Sequence, residues 1–263
     1  TRFRNVTGVQ TCALPIYLAA GCSLAATITA NQLRAWKVEH PGAVVVSYVN
    51  TSAEVKAESD YCCTSGNAVD VVNAIPADRE ILFLPDMFLG AHVRRITGRA
   101  NMHVWMGECH VHAGIDPEHI RLQRAMHPGA EFLIHPECGC ATSVVEAVSA
   151  GDVDPDGVHI LSTEGMMQRP ARSSADAFIV ATEVGILHRL RRSYPGKTFH
   201  AANERASCAY MKVTTLQKVA ESLEHLRHEI LVPDEIASRA RLAIERMVAI
   251  GGQAPGTPPA PGV

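Results

Sequence analysis

The sequence predicts an α/β protein made of parallel sheets with helices on both faces. Three observations carry that prediction: apolar runs of strand length alternate with helical spacing, polar residues collect just after the runs, and one stretch recurs 87 residues later. Parallel strands need helical crossovers, and helices on both faces bury each strand from two sides, so the strands read as nearly unbroken apolar runs. Across 263 residues, 47% hydrophobic and 19% charged residues suffice for one large or two small domains.

In order, the candidate strands are Ala43–Tyr48, Asp60–Thr64, Ile81–Leu84, His103–Met106, Glu131–Ile134, Val158–Leu161 and Phe178–Ala181. Each is short and rich in β-formers, and amphipathic spacing follows, as in Val184–Leu190 and Leu216–Leu226. In such sheets the ligand site lies beyond the carboxyl ends of the strands. The residues there are Tyr48 to Ser52, Pro85-Asp86, Gly107 to His110, His135 to Cys138, Ser162 to Glu164 and Thr182-Glu183.

His40-Pro41-Gly42-Ala43 returns as His127-Pro128-Gly129-Ala130, and the same shift carries Cys22 onto Cys109, Ile28 onto Ile115, Leu33 onto Ile120 and Arg34 onto Arg121. A cysteine, a helix, a turn and a strand in common register mark an internal repeat. The shift also places Tyr48 on His135 and Asn50 on Glu137. A third, looser unit is read as starting near Pro195-Gly196 and including Cys208. The expected organisation is a non-native leader over 1–16, α/β domains over 17–107 and 108–195, remaining elements and C-terminal helices over 196–250, and a disordered tail over 251–263. Val6 to Ile16, with Cys12, resembles translated adapter read-through, and the tail is nearly all Gly, Pro, Ala and Thr.

A net charge of −3 offers no basic excess for phosphate backbones, so nucleic acid is not expected as a partner. No apolar run reaches the length of a membrane span and no signal-peptide pattern opens the chain, so a cytoplasmic protein with no membrane partner is expected. Eight cysteines are too sparse for a disulfide scaffold, which leaves core residues, ligands or nucleophiles.

Cys22 and Cys109 fall in equivalent loops, and Cys208 precedes the helix opened by Thr214-Thr215. The positive end of a helix dipole favours a thiolate. Three thiolates from three loops would hold a soft metal or an iron–sulfur cluster with one position open. The alternative reading is a non-catalytic α/β binding module with core cysteines. Cys62-Cys63 reads as core, and so does Cys138-Gly139-Cys140, with a zinc-chelating or disulfide-exchanging pair as its rival. His135 and Glu137 project to one side and suit acid/base duty. Tyr48 and Asn50 also share a face and suit hydrogen bonding to a substrate. Thr64 to Asn67 and Ser162 to Gly165 read either as plain helix caps or as anion sites. Glu183, His188 and Arg189 to Arg192 read as a solvated helix face.

From about Leu18 to about Ile250 the chain resembles quinolinate synthases, on Gly21-Cys22-Ser23-Leu24, His40-Pro41-Gly42, Tyr48 to Ala57, Pro85-Asp86 with Leu89-Gly90, Trp105 to Cys109, His135-Pro136-Glu137-Cys138 and Cys208 to Lys212. The resemblance implies three small three-layer αβα domains around a pseudo-threefold axis, the first largely missing here, so that the chain is read as a fragment with impaired activity. It implies an enzyme of NAD biosynthesis that condenses iminoaspartate with dihydroxyacetone phosphate to quinolinate, with coupling to L-aspartate oxidase. It further implies a [4Fe–4S] cluster on Cys22, Cys109 and Cys208 with an open iron acting as Lewis acid. Tyr48, Asn50, Ser65, His135, Glu137 and Thr163 would bind substrate, with Glu137 as proton carrier supported by His135 and Tyr48.

Overall fold

The structure, a computed structural model, describes residues 19–141, 144–145, 157–227 and 230–251. The leader read over 1–16 and the tail, Gly251 apart, lie outside the described residues. The first unit runs α1 (Ala30–Glu39), β1 (Val44–Tyr48), α2 (Ala53–Ala57), β2 (Tyr61–Cys63), α3 (Ala68–Asn73), β3 (Ile81–Leu84), α4 (Met87–Thr97) and β4 (Met102–Val104). The second continues with α5 (His110–Ala113), α6 (Pro117–Met126), β5 (Glu131–Ile134), β6 (Val158–Ile160), α7 (Thr163–Arg172), β7 (Ala177–Ala181), α8 (Ile186–Ser193) and β8 (Thr198–Ala201). After it come α9 (Ala209–Lys212), α10 (Leu216–His225) and α11 (Asp234–Gly251). The two parallel four-stranded sheets have the same order, β2-β1-β3-β4 and β6-β5-β7-β8.

Strand periodicity explains the layers. Val44, Val46 and Tyr48 with Ile81 and Phe83 face one core, while Val45, Leu82 and Leu84 face the other with Ile28, Leu33 and Val55. The second sheet alternates likewise, with Phe132, Ile134 and Ile179 on one side and Leu133, Phe178 and Val180 on the other.

The 87-residue repeat is structural. Helices α1 and α6 span equivalent residues, and both are opened by a capping box, Thr29 with Gln32 and Asp116 with His119. Both close on a histidine and turn through a left-handed glycine, Gly42 at φ +81° and Gly129 at φ +86°. A Cβ is disfavoured in that conformation, which is why the turn repeats its glycine.

Two expectations change. Thr198–Ala201 was not among the expected strands, yet it is the fourth strand of the second sheet. A boundary at residue 195 therefore cuts the second unit, and Pro195-Gly196 leads into β8 instead of opening a third unit. The C-terminal segment also divides, since α11 packs on α2, α3 and β2 of the first unit. Ala240 is buried with Ala53 and Ala57, Arg239 pairs with Glu58 at 3.1 Å, and Arg246 donates to the Asp60 carbonyl at 2.9 Å.

Candidate active site

Three loops bring Cys22, Cys109 and Cys208 to the carboxyl ends of the sheets with one local geometry. The carbonyl of each cysteine accepts the N–H four residues on, from Ala26 at 3.1 Å, Ala113 at 2.8 Å and Lys212 at 3.1 Å. Each thiol thus stands at the start of a helical turn, and Cys22 Sγ accepts the Ala25 N–H at 3.5 Å. The loops touch. Ser23 Oγ and His110 Nδ1, each one residue after its cysteine, are 2.6 Å apart, and the His110 ring meets Tyr210 edge-on at 5.7 Å. A Cβ added to Gly21 would sit 3.5 Å from the same Tyr210 ring. Cys109 packs against the first-unit core together with Cys22, and against the second-unit core together with Cys208. All three are free, half-buried thiols. Burial raises the Cys22 thiol against the pull of the Ala25 and Leu24 N–H groups, and nearby Cys109 adds to the rise. The donor set, soft thiols presented by helix starts from three touching loops, fits a thiolate-ligated iron–sulfur group.

Beside these loops lies a buried polar network. Glu137 is 2% exposed, and its Oε2 is 2.9 Å from His112 Nδ1. The other ring nitrogen of His112 is 2.8 Å from Thr182 Oγ1, so both nitrogens are committed. Burial alone would lower the His112 pKa, but hydrogen bonding to Cys109 and Glu137 raises it to about 10. An imidazolium results, donating from both nitrogens. Burial likewise works against an ionised Glu137, and the bond to His112 with the Tyr48 hydroxyl outweighs it, holding the group a carboxylate. Its Oε1 is buried without a hydrogen-bond partner among the described residues.

His135 stacks on His112 at 4.9 Å, and burial drives its pKa down to about 4. Its Nδ1 accepts the Glu137 N–H at 3.4 Å, which leaves the proton of the neutral ring on Nε2. Asp86, completely buried, caps α4 by accepting the Leu89 N–H at 2.7 Å. Burial, reinforced by Glu137, lifts its pKa to about 7, and its Oδ2 has no partner among the described residues.

Of the residues expected from the sequence, Glu137, His135 and Tyr48 thus meet in one buried cluster. Asn50 is half-buried two residues beyond Tyr48. Ser65 lies on a turn that approaches the start of α7, whose first residue is Thr163, since a Cβ on Gly66 would stand 3.3 Å from Ser162 Oγ. Ser162 caps α7 through the Gly165 N–H at 3.2 Å, and the Thr163 side chain is left exposed. Glu183 departs from the solvated face expected of it. It accepts the N–H of Cys208 at 3.3 Å and of Gly185 at 2.7 Å and pairs with Lys212 at 3.1 Å, tethering the third cysteine loop. His188, Arg189, Arg191 and Arg192 are exposed as expected. Cys138 and Cys140 are buried but joined in a disulfide, which leaves no thiolate pair for zinc. His112 was missed, although its place three residues after Cys109 in a helical turn is a spacing that puts two side chains on one face.

The family model described as Quinolinate synthetase A protein matches residues 7–249, a span that begins inside the 1–16 stretch set apart above. Quinolinate synthase of Mycobacterium sp. (strain KMS) is 58% identical over 232 residues, covering 88% of this chain and 69% of that protein. The enzymes of Mycobacterium tuberculosis (strain CDC 1551 / Oshkosh) and Mycobacterium leprae (strain Br4923) are 56% and 54% identical over the same length, each covered to 66%. Two parallel sheets of one strand order, three cysteine loops meeting beside a buried polar network and this similarity agree: the chain belongs to the quinolinate synthase family.

Proposed function

We propose that this site condenses iminoaspartate with dihydroxyacetone phosphate to form quinolinate. The observation that carries the reading is the convergence of the three cysteine loops beside the buried Glu137–His112 pair. Cys22, Cys109 and Cys208 would hold a [4Fe–4S] cluster, which when bound supplies a Lewis-acidic iron for a substrate oxygen or nitrogen. Glu137 is the proton carrier: its unpartnered Oε1 takes a proton from substrate carbon or nitrogen, while His112 fixes Oε2 and keeps the group ionised between turnovers. Neutral His135 donates from Nε2 to developing negative charge on oxygen, and Tyr48 orients the carboxylate. Asn50 contributes hydrogen bonds, and Ser65 with Thr163, the first residue of α7, suits the phosphate or a carboxylate of the substrates. Domains of the family type and coupling to L-aspartate oxidase belong to the same reading.

The test is anaerobic reconstitution with iron and sulfide. The chain should gain the broad visible absorption of an iron–sulfur chromophore, with about four irons per chain, and lose it on replacement of any one of the three cysteines by Ser. Product assays on the reconstituted chain follow. A chain that stays colourless, or keeps its colour in all three variants, defeats the proposal and favours a non-catalytic module.

A further inference from the structure

We propose that His40, Glu80 and His103 form a divalent transition-metal site, of the zinc class, at the amino-terminal end of the first sheet, opposite the cysteine loops. His40 closes α1, Glu80 immediately precedes β3 and His103 lies in β4, so three separate elements supply the groups. Glu80 Oε1 is 2.9 Å from His40 Nδ1 and 2.6 Å from His103 Nε2, and one ligand atom from each residue lies within 4.8 Å of the other two. Donors held about 2.0–2.2 Å from zinc stand roughly 3.3 Å apart in a tetrahedron, so small side-chain rotations convert the present contacts into ligation. Two imidazoles and one carboxylate, with the remaining position open to water, make a borderline-soft donor set that suits zinc better than calcium or magnesium. The imidazole rings are 4.3 Å apart, and Trp36 meets His40 edge-on at 6.2 Å, an outer contact that orients the ligand.

The second unit provides an internal control. Strand register makes His127 the counterpart of His40 and His200 the counterpart of His103, and their rings stack at 3.6 Å. The counterpart of Glu80 is Ala177, one residue before the position that pairs with Glu131. The histidine pair is therefore duplicated and the carboxylate is not, which confines the three-ligand set to the first unit.

Equilibrium dialysis of the full chain against micromolar zinc reads this difference. The chain should bind one more zinc than the Glu80→Gln and His103→Ala variants, and His200→Ala should bind as much as the parent. Equal zinc content in all four proteins overturns the site. Should the variants misfold, imidazole nitrogen NMR of the unmodified chain decides instead: zinc should move the His40 and His103 signals together and leave those of His127 and His200 in place. Unmoved His40 and His103 signals overturn it equally.

Discussion

At the end of β1 the first unit presents Tyr48 and Asn50, and at the same register after β5 the second presents His135 and Glu137. Where the second unit carries His112, the first carries Ala25. Beyond their third strands both units place an acid, Asp86 and Glu183, and both tie the next residue to the following cysteine loop, Met87 to Gly107 at 2.7 Å and Val184 to Ala206 at 2.8 Å. Yet Asp86 is sealed in with an unpartnered oxygen, and Glu183 faces Lys212. The duplicated backbone fixes where side chains meet and leaves their chemistry free to diverge. On the proposed function, the first unit donates hydrogen bonds and the second holds the charge.

The sharpest test of that division compares Glu137→Gln with Asn50→Ala. If Glu137 carries protons, its variant should lose about 10²–10⁴-fold in quinolinate formation, whereas the loss of one hydrogen bond at Asn50 should cost about tenfold. Equal losses would break the division. Next comes His112→Ala, which leaves a buried carboxylate without its cation. Urea unfolding should show a loss of about 3–5 kcal/mol, and a loss below 1 kcal/mol would mean that the pair is not held as described.

Asp86 separates the two acids by pH. Its folded pKa, about 7, lies above the reference 3.8, so between those values the native state holds a proton that the unfolded state releases. Stability from this group is greatest below the lower value and falls as pH rises through about 7, by as much as about 4 kcal/mol. In Asp86→Asn, which keeps a good N-cap, that decline should vanish from denaturation curves taken from pH 5 to pH 8. A parallel decline in both proteins would refute the burial argument. The smallest effect sharpens the likeness of the units: Gly42→Ala and Gly129→Ala should each cost about 1–2 kcal/mol, and unequal costs would show that the matched turns differ in strain.

The sheets were legible because their strands are buried on both faces, which forces runs such as Val44-Val45-Val46 and Ile81-Leu82-Phe83-Leu84. The edge strand Thr198–Ala201 escaped because Thr198 is exposed and His200 only half-buried, leaving Phe199 and Ala201 as its apolar signal. Glu137 was legible from its strand end. His112 was not, because its partners Glu137 and Thr182 stand 25 and 70 residues away. Glu183 was misread for the same reason: a carboxylate next to an arginine-rich helix looks solvated until the Cys208 loop folds back on it. Pattern reports burial, but contacts made across the chain set protonation.

The return of α11 to the first unit has a consequence for synthesis. The face of Ala53 and Ala57 is completed by Ala240, a residue made nearly two hundred positions later. On the ribosome, the first sheet and its α1, α3 and α4 helices can assemble early, while the second unit can close independently. The Ala53–Ala57 flank must wait uncovered until the residues around Ala240 have been made, so a product stopped before them exposes an apolar strip that quality-control chaperones can recognise.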